Sequence, residues 1–116
     1  MKFVHNGATI NGSWDVGIYD QEWKLMVSTG SVTQAGTNAV QEQDITDITI
    51  GPGLYYAAFA FSSATAAYFS STVAGPLAGT GCNFMLSAFP LPATFTSGGL
   101  TSAVPLFGFS QRTLVA

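Results

Sequence analysis

The stretch ITDITIGPGLYYAAFAFS, residues 45–62, indicates the fold most strongly. After a Gly51-Pro52-Gly53 turn, it runs without a charge from Leu54 to Phe61. A period of two divides this run into two faces, Leu54, Tyr56, Ala58 and Ala60 on one side and Tyr55, Ala57, Phe59 and Phe61 on the other. Because both faces are apolar, the pattern predicts a central strand that is covered on two sides and entered through a tight turn.

A hairpin is predicted upstream of this stretch. Residues 13–19 alternate, and we expect Trp14, Val16 and Ile18 to face the core while Asp15, Gly17 and Tyr19 face solvent. The polar residues 20–22 form the predicted tip, and residues 23–28 form the second arm. Trp14 is therefore expected in the core.

The rest of the chain reads as short strands separated by turn signals. Strands are expected near Phe3-Val4 and in residues 31–33, 65–70, 83–89, 93–96 and 104–109, and a helical turn is conceivable at 38–43. This spacing is typical of an all-β, antiparallel β-sandwich or jelly roll with about seven or eight short strands. A chain of 116 residues fits one such domain, residues 1–116.

The composition is unusual in its scarcity of charge. Charged residues make up 8% of the chain, against a typical value of about 25%, while 47% of the residues are hydrophobic. We therefore expect much of the surface to be covered by other chains. The net charge is −3, and the three basic residues are scattered, which argues against nucleic acid as a partner.

Membrane insertion and secretion are also disfavoured by the sequence. The long uncharged region is interrupted by Gly, Pro, Ser and Thr, so it offers no apolar helix of the length that spans a bilayer. No apolar core of a secretory signal follows Met1, so we expect synthesis in a cytoplasm. Cys82 is the single cysteine, which is expected to act as a small buried apolar residue.

Catalytic and metal-binding patterns are missing from the sequence. His5 is the single histidine and lies in a predicted terminal turn, so a Ser-His-Asp triad or a Cys/His zinc site is not expected. Glu42, Asp44 and Asp47 could offer oxygens to calcium, but their spacing lacks the pattern of a calcium loop. We therefore predict a protein that is not an enzyme and that has no metal and no cofactor.

Aromatic residues are the candidates for binding. Trp23, beside the hairpin tip, could stack on a sugar or fill a pocket of a neighbouring protein, or it could cap its own sandwich. The face with Tyr55, Phe59 and Phe61 is expected to meet another copy of the chain. Phe107 and Phe109, in the last apolar run, complete the predicted interface.

Several phrases resemble a family of small β-sandwich domains in virion structural proteins of tailed bacteriophages. They are HNGATINGSWDVGIYD at 5–20, VSTGSVTQAGTNAVQ at 27–41, PGLYYAAFA at 52–60, SAFPLPATF at 87–95 and PLFGF at 105–109. The resemblance covers nearly the whole chain but carries no active-site residues. One departure is Trp23 at the hairpin tip, where a glycine-containing turn is expected.

The resemblance implies a protein of the virion surface, commonly a homotrimer. A small product without a fibre shaft favours a capsid decoration (cement) protein that binds the major capsid protein and stabilises the shell. The alternative is a tail-fibre or appendage domain that binds a receptor or a host-surface glycan.

Overall fold

The computed structural model describes residues 2–68, 70–72, 83–84, 89–96, 99–100, 103–105 and 107–109. All strand pairs are antiparallel, and the described residues contain no helix, so none that could cross a membrane. The all-β prediction is thus confirmed for this part of the chain. The strands are β1 Lys2–His5, β2 Ser13–Tyr19, β3 Leu25–Ser28, β4 Val32–Thr33, β5 Val40–Gln43, β6 Tyr56–Phe61, β7 Ser70–Thr72, β8 Asn83–Phe84, β9 Gly99–Leu100, β10 Ala103–Pro105 and β11 Phe107–Phe109.

Strand β2 is the centre of the main sheet. One of its edges pairs with β6 from Trp14↔Phe61 to Tyr19↔Tyr56, and the other pairs with β3 and β4. The strand predicted at residues 54–61 is present as β6, but within the described residues it does not lie at the centre of the sheet. In the described structure β6 pairs with β2 alone and lies at the edge of the sheet.

Both faces of β2 are buried. Trp14 and Val16 are fully buried on one face, and Asp15 and Tyr19 are each 1% exposed on the other. The expected solvent-facing side of this strand does not exist, because the segment 89–96 lies over it. The Leu91 side chain fills the space beside Gly17, where a Cβ would approach its Cδ1 atom to 2.7 Å.

A buried carboxylate holds the segment 89–96 against β2. Asp15 accepts hydrogen bonds from the Leu91 N–H at 2.9 Å and from the Thr29 hydroxyl at 3.1 Å. The Tyr19 hydroxyl donates to the Pro92 carbonyl at 2.6 Å. The Phe89–Pro90 peptide bond, at the start of the segment, is cis. An acidic residue that looks solvated in the sequence is thus a buried anchor.

The remaining strands form one sheet of three strands and two separate pairs. β1 lies between β5 and β11, while β7 pairs with β10 and β8 pairs with β9. The eleven described strands, several of only two or three residues, do not confirm the predicted number of seven or eight.

The polar region 29–43 folds differently from its prediction in one place. The short strand around Val32 is confirmed as β4. No helical turn forms at 38–43. Asn38 instead has a left-handed backbone and is followed by β5, whose backbone groups pair with β1. The region 45–55 forms no strand, and Ile48 and Ile50 are exposed.

Uncharged amide side chains fix this polar region to the sheet. The Gln41 Oε1 atom accepts hydrogen bonds from Trp14 Nε1 at 3.0 Å, the Ala35 N–H at 2.9 Å and Asn6 Nδ2 at 3.2 Å. Gln34, which is buried, donates to Asn6 Oδ1 at 3.1 Å. These amides satisfy buried polar groups in the region 29–43 without introducing a charge.

We predict that Asp15→Ala lowers the free energy of unfolding by about 3 kcal/mol. The substitution leaves the Leu91 N–H without its acceptor in a buried place, whereas the Thr29 hydroxyl can still donate to the Gly30 carbonyl at 3.0 Å. Urea unfolding followed by tryptophan fluorescence measures the loss. Asp44→Ala, at an exposed position, is the control and should change stability by less than about 0.5 kcal/mol. Equal losses in the two variants would contradict the role of Asp15 as an anchor.

Candidate interaction surface

Four of the six predicted interface residues lie together. Phe59, Phe61, Phe107 and Phe109 form, with Tyr68, an aromatic cluster. The first two come from β6 and the next two from β11, so the cluster joins two sheets. We call these five residues the aromatic cluster.

Phe59 is the centre of the aromatic cluster. Its ring lies 4.7 Å from Tyr68, edge to face, and 5.7 Å from both Phe61 and Phe107. Four members of the cluster, Phe59, Tyr68, Phe107 and Phe109, pack against fully buried Trp14 and Val16. Edge-to-face and offset arrangements at these distances are favourable for aromatic pairs.

The members of the aromatic cluster differ in exposure. Phe61 is 46% exposed, whereas Phe59, Tyr68, Phe107 and Phe109 are half-buried. Because Phe59 packs against the protein's own core, Phe59→Asp would disrupt folding and could not test an interface. Phe61 is the better probe of a contact outside the chain.

Tyr68 was not among the predicted interface residues. Its hydroxyl is buried and makes no hydrogen bond within the described structure. Burial raises the pKa of Tyr68 to about 12. The apolar character of residues 65–70 suggested a strand here, but Tyr68 instead forms an isolated bridge to Asn6. Its contact with β6 depends on the tertiary fold and has no local signal.

Further apolar side chains are exposed just before β6. Leu54 is 59% exposed and Ile50 is 45% exposed, and Ile48 is also exposed. Single exposed apolar residues are ordinary, but these three and Phe61 all lie within residues 48–61, which carry no charge. We call Ile48, Ile50 and Leu54 the apolar approach to β6.

The hairpin tip places Trp23 in an unusual backbone conformation. Asp20 Oδ1 accepts hydrogen bonds from the N–H groups of Glu22 and Lys24, at 2.8 and 3.0 Å, and the Trp23 N–H donates to the Asp20 carbonyl at 3.0 Å. Trp23 follows this turn with φ = 64°. Hairpin loops of this type favour glycine in the left-handed position, which explains why a tryptophan departs from the expected sequence.

The Trp23 indole is stacked within its own chain. Its ring lies 3.9 Å from Tyr56 at 12° and 4.9 Å from Phe95 at 26°. The two rings must cover opposite faces of the indole, because rings on one face at these distances would also contact each other. The geometry therefore favours a capping role for Trp23 within the chain over stacking on a sugar.

Tyr55 lies apart from the aromatic cluster. Its hydroxyl donates to the Gly51 carbonyl at 2.9 Å. It lines an open cleft of about 330 Å³ between the hairpin tip and the Gly51–Gly53 turn. The cleft is lined by Asp20, Gln21, Glu22, Met26, Pro52, Gly53, Leu54 and Tyr55. The predicted face of Tyr55, Phe59 and Phe61 is thus divided between two places.

Charged groups do not converge in the described structure. Among its residues, no three His, Cys, Asp or Glu side chains lie close enough to hold a metal ion. Lys24 and Glu22 form an ion pair at 3.4 Å, and both side chains are about two-thirds exposed (66% and 68%). Such a pair contributes little to stability. Cys82 lies outside the described residues.

We predict that Trp23→Gly is more stable than Trp23→Ala by about 1 kcal/mol. Both variants lose the stack, but only glycine removes the cost of the left-handed backbone. Thermal and urea unfolding of the two variants measure the difference. Met26, exposed in β3, is the control, because there the glycine variant should be less stable than the alanine variant. The same order at both positions would contradict the prediction.

We predict that the free energy of unfolding falls as the pH rises from about 10 to about 12. Burial, with the Asp15 charge as a second cause, raises the pKa of Tyr19 to about 12, as burial alone does for Tyr68. An unfolded tyrosine titrates near pH 10, so the unfolded chain loses these protons first. The stabilisation is complete below pH 10 and is lost through pH 12.

Two phenylalanine variants separate these tyrosines. Tyr68→Phe should leave stability at pH 7 unchanged or raised, because its hydroxyl lacks a partner. Tyr19→Phe should lose about 1 kcal/mol, because the Pro92 carbonyl loses its donor. Each variant should weaken the alkaline pH dependence measured by urea unfolding. An unchanged pH dependence in both would show that other groups cause it.

No protein-family model, curated protein or solved structure matches this chain.

Proposed function

We propose that this chain is a non-enzymatic structural protein of a tailed-bacteriophage virion, acting as a capsid decoration protein. The observation that carries the proposal is the exposed apolar surface around β6 on a chain with 8% charged residues. Phe61 and the apolar approach to β6 present large side chains to solvent. Contact with other subunits would remove this surface from water.

The architecture that we propose is a β-sandwich or jelly roll. The contact between Phe59 of β6 and Phe107 of β11 supports it, because these strands belong to different sheets. Trp14 and Val16 supply the buried floor of that contact. Two antiparallel sheets that share an apolar layer are what a sandwich requires.

The proposed partners are other copies of the chain and the major capsid protein. The resemblance to virion domains suggests both, and it suggests a homotrimer. The scarcity of charge supports contacts made through shape and apolar area, since the chain has few groups for ion pairs. The proposed location is the virion surface, after synthesis in the host cytoplasm.

A receptor- or glycan-binding appendage domain is the second candidate. The open cleft beside Tyr55 favours it, because an aromatic ring, a carboxylate and an amide line one concave surface. Such groups can hold a sugar through stacking and hydrogen bonds. Trp23 no longer supports this candidate, since both faces of its ring are covered.

Particle stability tests the decoration role. Particles assembled without this protein, and the same particles after its addition, are heated or treated with a chelator, and release of the genome is measured. We expect the added protein to raise the temperature of release. Equal resistance of bare and decorated particles would reject the decoration role, and binding of the purified protein to host surface material would then favour the appendage.

The variant Phe61→Ser should weaken this protection. Phe61 is half exposed, so the change removes apolar contact area while leaving most of the aromatic cluster in place. The control is Met26→Ser, at an exposed apolar residue of another strand. Circular dichroism verifies folding of both variants before particles are treated. Full protection by the Phe61 variant would show that this surface does not bind the shell.

A further inference from the structure

The outer edge of β6 is open in the described structure. β6 pairs along its length with β2, and the described residues supply no partner on its other side. The opposite edge of the sheet is treated differently. There, the Leu25 N–H donates to the Ala93 carbonyl and the Phe95 N–H to the Trp23 carbonyl, so the segment 89–96 covers β3.

The outward-pointing backbone groups of β6 belong to Ala57, Phe59 and Phe61. The Ser62 N–H donates to the Ser13 carbonyl, which places this pair in the hydrogen-bonded position. Positions alternate along an antiparallel pair, so Ala60 and Ala58 also bond to β2, and the residues between them point away. A second hydrogen bond supports this assignment. Val16 lies opposite Phe59, but its carbonyl accepts from the Thr29 N–H on the side of β2 that faces away from β6.

The sequence of β6 lacks the devices that protect an open edge. Natural edge strands carry charged residues, proline or a bulge, or they are very short. β6 has six residues, YAAFAF, without a charge or a proline, and its register with β2 is regular. By contrast, β5 at the edge of the three-stranded sheet carries Glu42.

We propose that the outer edge of β6 pairs antiparallel with β6 of a second copy of this chain, about a two-fold axis at Phe59. In this register Phe59 faces its own equivalent, and each Ala57 faces Phe61 of the partner. All outward N–H and C=O groups of both strands then bond across the axis.

Size and charge favour a second copy as the occupant. In the proposed pair, the exposed Phe61 of one copy lies beside the small Ala57 of the other rather than beside a second large residue. On the opposite face of the sheet, Ala58 of one copy faces Ala60 of the other. No charge on either strand meets a like charge, although the whole chain is acidic at −3. Aromatic and aromatic–small pairs across antiparallel strands are compatible with close pairing.

The pairing goes beyond the proposed function and predicts a symmetry of its own. An antiparallel pair of identical edges is an isologous contact and closes as a dimer. It therefore differs from the homotrimer that the resemblance implies. The apolar approach to β6, in residues 48–54, lies next to the paired strand in sequence and can enlarge the contact.

Mass and amide exchange of the purified full chain test the pairing. Light scattering should give twice the 12.1 kDa chain mass. Hydrogen exchange followed by NMR should show protection of the Ala57, Phe59 and Phe61 amides in addition to those that bond to β2. Dilution to the monomer should release these three amides and leave Ala58 and Ala60 protected. A merely more stable fold would not produce this alternation.

Two variants at Ala57 separate the edge from the side-chain surface. Ala57→Lys adds a charge at an exposed edge position, and Ala57→Pro removes an outward N–H without adding a charge. Each should raise the dimer dissociation constant by more than about tenfold. Ala64→Lys, in the exposed turn after β6, carries the same charge change and should remain dimeric.

Several results would overturn the pairing. They are a monomer or a trimer for the unaltered chain, a dimer whose Ala57, Phe59 and Phe61 amides exchange freely, and a dimer that neither Ala57 variant weakens. The particle experiment is independent of these. If the protein is a dimer but fails to protect particles, the virion role is rejected and the pairing stands. If a monomer protects particles, the pairing is rejected and the virion role stands.

Discussion

The fold depends on a strand that has no solvent-facing side. β2 carries Trp14 and Val16 toward the aromatic cluster and carries Asp15 and Tyr19 toward the segment 89–96. A strand covered on both faces must satisfy any polar group that it buries, because water cannot reach it. The Asp15 carboxylate meets this requirement by accepting the Leu91 N–H and the Thr29 hydroxyl. The carboxylate is therefore also the anchor of the outer segment.

The alternation of residues predicted the strands themselves better than their positions within the sheet. The strand at Ser13–Tyr19 and the alternation of residues 56–61 are both as the sequence predicts. In the described structure β2, rather than β6, is the strand with partners on both sides. The sequence suggests the reverse, because the composition of β6 is apolar throughout and is typical of a buried strand, whereas Asp15 in β2 is typical of a strand with one face in solvent. The group that buries Asp15 lies 76 residues away in the chain. No periodicity within a strand encodes such a contact.

The candidate surface was predicted in part for the same reason. Alternation placed Phe59 and Phe61 on one face, and the structure adds Phe107 and Phe109 to that face. Tyr68 joins them without a local signal, and Tyr55 leaves them because it precedes β6. Trp23 stands out in the sequence because a glycine-containing turn is expected at the hairpin tip. The reason is a backbone cost at φ = 64°, offset by stacking on Tyr56 and Phe95.

Low charge and an open edge are connected by the same physical requirement. A protein that remains alone in solution benefits from charges that keep apolar surfaces and strand edges apart. Apart from the Asp15 carboxylate, this chain satisfies its buried polar groups with amides such as Gln34 and Gln41, and it places neither a charge nor a proline on β6. With only the described residues around it, an isolated chain would leave the outward backbone groups of Ala57, Phe59 and Phe61 to water and Phe61 half exposed. Pairing of this edge satisfies the backbone and covers the ring at once, which is why the edge, rather than the aromatic cluster as a whole, is the surface on which assembly should depend.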